Sequence, residues 1–379
     1  MKYRSFTKDN LKVSQLGFGC MRFPILEEDS GKIDSKETEI LLDYAIEHGV
    51  NYIDTAFPYH KENSEIFLGE YFKKTNKRKQ IYLASKSPVW KAQKKGDFYK
   101  LLKLQLERLQ TDYIDFYLLH ALDQARWDKI IELDVFKDME RAKEEGLIRY
   151  LGFSFHDEYP VFEKICNGYH WDFLQIQLNY MDVDHQAGLK GLNYAYNKEI
   201  SVVIMEPVKG GKLSHPPKDV EEIFAGAQHK LSYSGHALAY LWNLPQVSVV
   251  LSGMSSLEQV KDNIETAHII GVDSLNLEDQ KKYSRARDIL NQGLKVACTA
   301  CQYCMPCPSG VEIPNIFTLY NDLSMYGSTS SKEKYVTLME KTQGADSCVS
   351  CGLCEEACPQ HLTIRNHLSE AHMTLMEDK

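Results

Sequence analysis

No stretch of this chain approaches the roughly 20 consecutive apolar residues that span a bilayer, and the opening Met1-Lys2-Tyr3-Arg4 carries no apolar leader. Positive charge is also scarce: 44 lysines and arginines stand against 53 aspartates and glutamates, a net charge of −9. An acidic surface repels nucleic acid and anionic membranes, which excludes both as the main partner. The glycine fingerprint of a Rossmann turn is incomplete. Gly17-Phe18-Gly19-Cys20-Met21-Arg22 lacks the third glycine and is not followed by a helix with a well-placed acid. These absences lead to the expectation of a cytoplasmic globular protein.

Cysteine is what the chain has in excess, and in one place. Eight of its ten cysteines form two runs, Cys298-x2-Cys301-x2-Cys304-x2-Cys307-Pro308 and Cys348-x2-Cys351-x2-Cys354-x3-Cys358-Pro359. The second has the spacing of a bacterial ferredoxin run, and the first is one residue short in its last gap. Thiolates every third residue wrap a short loop around an iron–sulfur cube, and the cysteine before proline reaches across to the other cluster. The expected ligand sets are therefore Cys298, Cys301, Cys304 and Cys358 for one [4Fe-4S] cluster, and Cys348, Cys351, Cys354 and Cys307 for a second. Structural zinc takes four ligands, usually as two separated pairs, rather than four thiolates in one short stretch. Disulfides need an oxidising compartment, at odds with the missing leader.

The first 290 residues alternate short strand-like runs with helical segments. The runs are Gln15–Met21, Tyr52–Ala56, Ile81–Lys86, Tyr113–His120, Ile148–His156, Phe173–Tyr180, Ser201–Pro207 and Val247–Met254. They are nearly continuously apolar, as parallel strands buried on both faces must be. Eight strands in alternation with helices predict an α/β fold, a closed (β/α)8 TIM barrel. Arg4–Thr7 and Leu11–Val13, around Asp9-Asn10, predict a hairpin plugging the barrel floor. Residues 291–379 form an expected second domain, small and mostly helical, with amphipathic segments Ile313–Tyr326, Lys332–Lys341 and Ile364–Met376 between and after the cysteine runs. Loops Phe23–Ile33, Pro88–Lys95, Ala121–Trp127 and Val183–Gly188 are expected around the mouth, with Trp90, Trp127 and Tyr59 giving it an aromatic lining.

In TIM barrels, chemistry collects where strands end. Those ends here carry Asp54, with Tyr59 five residues on, then Lys86 and His120. Together they form a proton-handling set. A phenol titrates near pH 10, too high to donate readily, and an adjacent lysine cation lowers that value. A carboxylate keeps the lysine charged and placed, and a histidine can orient a carbonyl oxygen.

At these residues the chain resembles the aldo-keto reductase superfamily, in the branch with a C-terminal ferredoxin-type domain. The matching pieces are Asp54-Thr55-Ala56-x-x-Tyr59, Lys86, Leu119-His120, Gly152-Phe153-Ser154, Gln175-x3-Asn179 and Ser252-Gly253 through Asn263. The resemblance implies NAD(P)H-dependent interconversion of an aldehyde or ketone and an alcohol. It makes Tyr59 the general acid/base, Lys86 and Asp54 its tuners, and His120 the carbonyl orienter. It places Ser154 and Gln175 on the carboxamide of the nicotinamide, Met205 against its ring, and Glu206–Leu213, with Pro207, Gly210 and Gly211, along the pyrophosphate. Gly253, Gln259 and Asn263 fall in the loop that holds the adenosine end. Phe155 and His156 follow Ser154 where relatives often have asparagine, which removes one carboxamide contact. Gly253 and Gln259 replace the basic residues that grip the 2′-phosphate of NADPH, which favours NADH or use of both nucleotides.

Clusters move one electron and nicotinamide moves two together. No flavin fingerprint is visible to join them, so a structural, sensing or electron-transfer role stays open for the clusters, with ferredoxin or another redox protein as a candidate partner. The alternative to an enzyme is a redox-responsive regulatory or electron-transfer subunit that binds nicotinamide without consuming it.

Overall fold

The computed structural model describes residues 1–298, 302–358 and 360–377. They divide into two compact units: Met1–Gly210 with Ser234–Leu277, and Gly211–Tyr233 with Glu278–Lys379.

The first unit opens with an antiparallel hairpin, β1 (Tyr3–Phe6) and β2 (Leu11–Ser14). Eight parallel strands follow: β3 (Leu16–Gly19), β4 (Tyr52–Asp54), β5 (Tyr82–Ser87), β6 (Ile114–Leu122), β7 (Ile148–Phe155), β8 (Phe173–Gln177), β9 (Ser201–Met205) and β10 (Val247–Ser252). Each pairs with the next, and β10 pairs with β3, closing the barrel with Val250 opposite Leu16 and Ser252 opposite Phe18. All eight expected strands are present, and the hairpin lies at the expected residues. Phe6 is fully buried in a cluster with Tyr52, Phe116 and Phe173, its ring edge-on to Phe116 at 4.8 Å. That aromatic layer fills the barrel, as side chains do in this architecture.

The helices are α1 (Ser35–Glu47), α2 (Ser64–Thr75), α3 (Asp97–Leu109), α4 (Gln124–Glu132), α5 (Val135–Glu144), α6 (Tyr159–Gly168), α7 (Gly188–Asn197), α8 (Lys218–Ala225), α9 (Tyr233–Trp242), α10 (Leu257–Ile269) and α11 (Leu277–Gln292). Gly17 is explained by barrel packing: a Cβ there would stand 2.6 Å from Leu251 Cδ2 and 2.9 Å from Val249 Cγ1. The expected mouth loop Ala121–Trp127 is mostly regular structure. Strand β6 runs to Leu122 and α4 starts at Gln124, because Asp123 caps the helix by accepting from the Arg126 amide at 2.7 Å. Trp127 is consequently not part of the mouth. It is 4% exposed and packs with Phe136 and Trp171.

The second unit holds α8, most of α11, and the helices α12 (Ile313–Tyr326), α13 (Ser330–Glu340), α14 (Leu353–Glu356) and α15 (Ile364–Met376). Phe224 of α8 packs on Tyr283 of α11 at 5.3 Å, and Lys212 pairs with Asp322 at 2.6 Å. Its own core gathers Val311, Ile316, Phe317, Tyr335, Leu368 and Ala371 with Cys358, and partly buried cysteines pack against it.

Candidate active site

Neighbouring strands deliver the proton-handling residues to one place. Asp54 ends β4, Lys86 lies one residue from the end of β5, and His120 sits near the end of β6. Tyr59 follows on a turn whose amide donates to the Ala56 carbonyl at 3.1 Å. Lys86 is 1% exposed, and its Nζ donates to Asp54 Oδ1 at 2.5 Å, to the Thr55 carbonyl at 2.9 Å and to the Tyr59 hydroxyl at 3.3 Å. A lysine this deep stays charged because three oxygens surround it. Burial alone would lower its pKa, but Asp54 and Tyr59 reverse that and raise it. Burial in turn raises the Asp54 carboxyl, against the pull of Lys86.

From the sequence, Lys86 is expected to lower the Tyr59 phenol. Lys86 does pull that way, yet burial outweighs it and the net displacement is upward. The His120 ring lies edge-on to Tyr59 at 6.3 Å and 5.3 Å from Trp90, which is 41% exposed. Burial holds the His120 imidazole well below its ordinary value, and Lys86, His156 and Arg126 add to this. It is therefore neutral near pH 7, with Nδ1 buried and without a hydrogen-bond partner. A neutral imidazole beside a phenol can orient a carbonyl oxygen.

The expected nicotinamide contacts line the next strand ends. Ser154 on β7 accepts from the Ala121 amide at 2.7 Å, which leaves its O–H to donate. Gln175 on β8 is 2% exposed and its Oε1 has no partner. A buried, orphaned amide oxygen is costly unless something completes it, and a carboxamide N–H would. Asn179 is used otherwise: its Oδ1 accepts from the Met181 and Asp182 amides and its Nδ2 reaches Asp182 at 3.0 Å. Met205 ends β9 half-buried, and Pro207 is buried after it. Gly210 and Gly211 have φ of +67° and +98° with open space around them, a conformation suited to glycine. Lys209 pairs with Asp182 at 2.6 Å.

Beyond β10, Asn263 donates to the Ser252 hydroxyl at 3.0 Å. Gln259 Oε1 accepts from the Ser255 amide at 2.8 Å, so this side chain secures its own loop. Arg22, not expected here from the sequence, has its Cγ 2.7 Å from where a Gly253 Cβ would be. Exposed Arg22 thus comes beside a loop more than two hundred residues away, through the β3–β10 pairing that closes the barrel. The signal was present in the Gly17–Arg22 stretch, but only closure gives it a neighbour.

Seven of the eight clustered cysteines are described, and Cys301 lies outside the described residues. Cys304, Cys307, Cys348, Cys351 and Cys354 line one cavity of about 210 Å³. Cys298, Cys304 and Cys358 line another of about 20 Å³. Each cavity thus takes cysteines from both runs, Cys304 lines both, and the first is larger than a single ion needs. Among the described residues, no three His, Cys, Asp or Glu side chains group to hold one metal ion.

Comparison with known proteins agrees with this geometry. The model of the aldo/keto reductase family matches residues 15–274, and that of a 4Fe-4S dicluster domain matches residues 297–363. The uncharacterized oxidoreductase YqkF of Bacillus subtilis is 29% identical over 71% of this chain and 92% of its own length. L-galactose dehydrogenase of Arabidopsis thaliana is 26% identical over 76% of this chain and 94% of its own. The holo form of the aldo-keto reductase AKR11C1 from Bacillus halodurans superposes with a TM-score of 0.63 at 27% identity, covering 76% of this chain and 96% of that one. A Klebsiella pneumoniae aldo/keto reductase in complex with NADP and acetate shares the fold at TM-score 0.60 and 22% identity, over 75% of this chain and 95% of its own. With the family model covering the whole barrel wall, this chain belongs to the aldo/keto reductase family and carries a C-terminal 4Fe-4S dicluster domain.

Proposed function

We propose that the protein interconverts an aldehyde or ketone and an alcohol with NAD(P)H. The observation that carries this is Lys86 Nζ joined at once to Asp54, Thr55 and Tyr59, with neutral His120 beside the phenol. Tyr59 gives a proton to the substrate oxygen in reduction and takes it back in oxidation. Lys86 offsets part of the burial that holds the phenol up, Asp54 anchors Lys86, and His120 orients the oxygen. Bound NAD(P)H would supply the hydride. Ser154 and Gln175 would hold its carboxamide and Met205 would lie against its ring. Pro207, Gly210 and Gly211 would lie along the pyrophosphate, and Gly253, Gln259 and Asn263 at the adenosine end. NADH is the preferred form in this reading, because Gln259 is neutral and already engaged with its own loop.

The functional division of the chain is proposed near residue 290. Two [4Fe-4S] clusters are proposed beyond it, held by the two crossed cysteine sets, and they would supply one-electron transfer. Cys351 is exposed beside Val349 and Tyr303, each about 70% exposed. That rim favours exchange with an external carrier such as a ferredoxin over a buried, purely structural role.

Tyr59→Phe tests the reading. Carbonyl-dependent NAD(P)H oxidation should fall about 10²–10⁴-fold while nucleotide affinity holds, and running both nucleotides reads the preference. Turnover within a few fold of the unaltered protein removes the assignment. Nucleotide binding without turnover of any carbonyl by the unaltered protein would favour the regulatory subunit instead.

A further inference from the structure

One cation at the barrel mouth has no part in the tetrad. Arg126, in the first turn of α4, is 36% exposed. Its Nη1 donates to the Ala121 carbonyl at 2.7 Å and to Asp123 Oδ2 at 2.8 Å, while no described residue accepts from Nε or Nη2. Ala121 follows His120 directly, so the guanidinium is tied to the backbone one residue from the proposed carbonyl orienter. That tie is built at a cost. Ala121 has φ +54°, a left-handed conformation that non-glycine residues rarely adopt. The turn gives its N–H to Ser154 and its carbonyl to Arg126. Strain of this kind persists where the surroundings hold it, and such places are enriched in functional sites.

The cations around His120 act in the same direction, and the carboxylates nearby are already engaged. The groups that act on His120 are Lys86, His156 and Arg126, with no carboxylate among them. Asp54 is committed to Lys86, Asp123 to one nitrogen of Arg126, and Glu206 faces His156. Lys129, one turn further along α4, donates to the carbonyl of Trp90, whose ring meets His120. The remaining edge of Arg126 is a planar pair of N–H donors, the geometry that takes a carboxylate in two parallel hydrogen bonds.

We infer that the substrate is a carbonyl compound bearing a carboxylate, and that Arg126 is the residue that selects it. The inference rests on the reductase reading above and narrows it. The competing role for Arg126 is structural, holding the turn between β6 and α4, and selectivity separates the two.

The experiment compares para-carboxybenzaldehyde with para-carbamoylbenzaldehyde, alike in shape and unlike in charge, as substrates of the full-length, anaerobically prepared protein. The acid should have the higher kcat/KM by about ten- to a hundredfold, mainly through KM. Arg126→Gln should collapse that ratio towards one, and Arg126→Lys should restore part of it. Partial misfolding lowers both rates equally and leaves the ratio unchanged, so the ratio reads recognition alone. A ratio near one in the unaltered protein, or one unaltered by Arg126→Gln, overturns the inference and leaves the reductase reading standing. If neither these nor other neutral aldehydes oxidise NADH or NADPH, the reductase reading fails and takes this inference with it.

Discussion

His120 shows how one buried side chain couples chemistry to stability. Its pKa in the folded chain lies well below the ordinary value of 6.5, first through burial and then through Lys86, His156 and Arg126. Below 6.5 the unfolded chain therefore binds a proton that the folded chain refuses. Stability from this site is complete above 6.5 and is lost as pH falls through the interval down to the folded value. His156 is displaced in the same direction, also chiefly by burial. Urea midpoints measured between roughly pH 7 and 5 should fall with pH, and His120→Asn should make that fall shallower. An equally steep fall in the variant would assign the sensitivity elsewhere. The residues of this tetrad were legible in the sequence because each stands at or just after the end of a readable strand. Arg126 was not, since one aspartate cap turns an expected loop into a helix. Trp127 was misplaced for the same reason: on α4 it faces Phe136 and Trp171 rather than the mouth.

Between elements, close approach sets limits that no local pattern announces. A Cβ on Gly69 of α2 would stand 2.3 Å from the Arg108 carbonyl oxygen and 2.8 Å from the Leu109 carbonyl carbon, at the end of α3. Backbone cannot rotate aside as a side chain can. Gly69→Ala should therefore destabilise by about 1–3 kcal/mol or more. Gly17→Ala should cost less, because it meets side chains of Leu251, Val249 and Tyr52 rather than backbone. Gly226→Ala, with nothing within 4 Å, should be close to neutral. Thermal midpoints of the three variants give the ranking, and a Gly69→Ala protein as stable as Gly226→Ala would show that α2 can shift. The barrel strands were readable because continuous apolar runs survive burial on both faces. The Gly69 crossing was not, since a glycine within a helical run looks the same whether its face is open or touching another helix.

For the molecule as a whole, the arrangement of the cysteines makes a sharp demand. Cys307 shares a cavity with Cys348, Cys351 and Cys354, Cys358 shares the other with Cys298, and Cys304 lines both. If the clusters are ligated in these sets, ending the chain after Asp346 removes three ligands from one and one from the other. Iron analysis should then give about eight irons per intact chain and fewer than four after truncation. A truncated protein with a full, stable four-iron cluster would mean that each run serves its own site. The ligand residues were legible from spacing alone. The excursion of residues 211–233 into the second unit was not, because nothing in that segment's composition marks which core it joins.

The pairing of β10 with β3 also bears on how the chain is made. Leu16, Gly17 and Phe18 find their hydrogen-bonding partners in Val250, Leu251 and Ser252. During synthesis the first barrel strand thus leaves the ribosome long before the strand that completes it. Through that interval its edge is open, the condition under which nascent chains pair wrongly or need a chaperone. The cysteine runs emerge only after that edge can be covered, so the polypeptide reaches iron–sulfur assembly with its barrel already able to close.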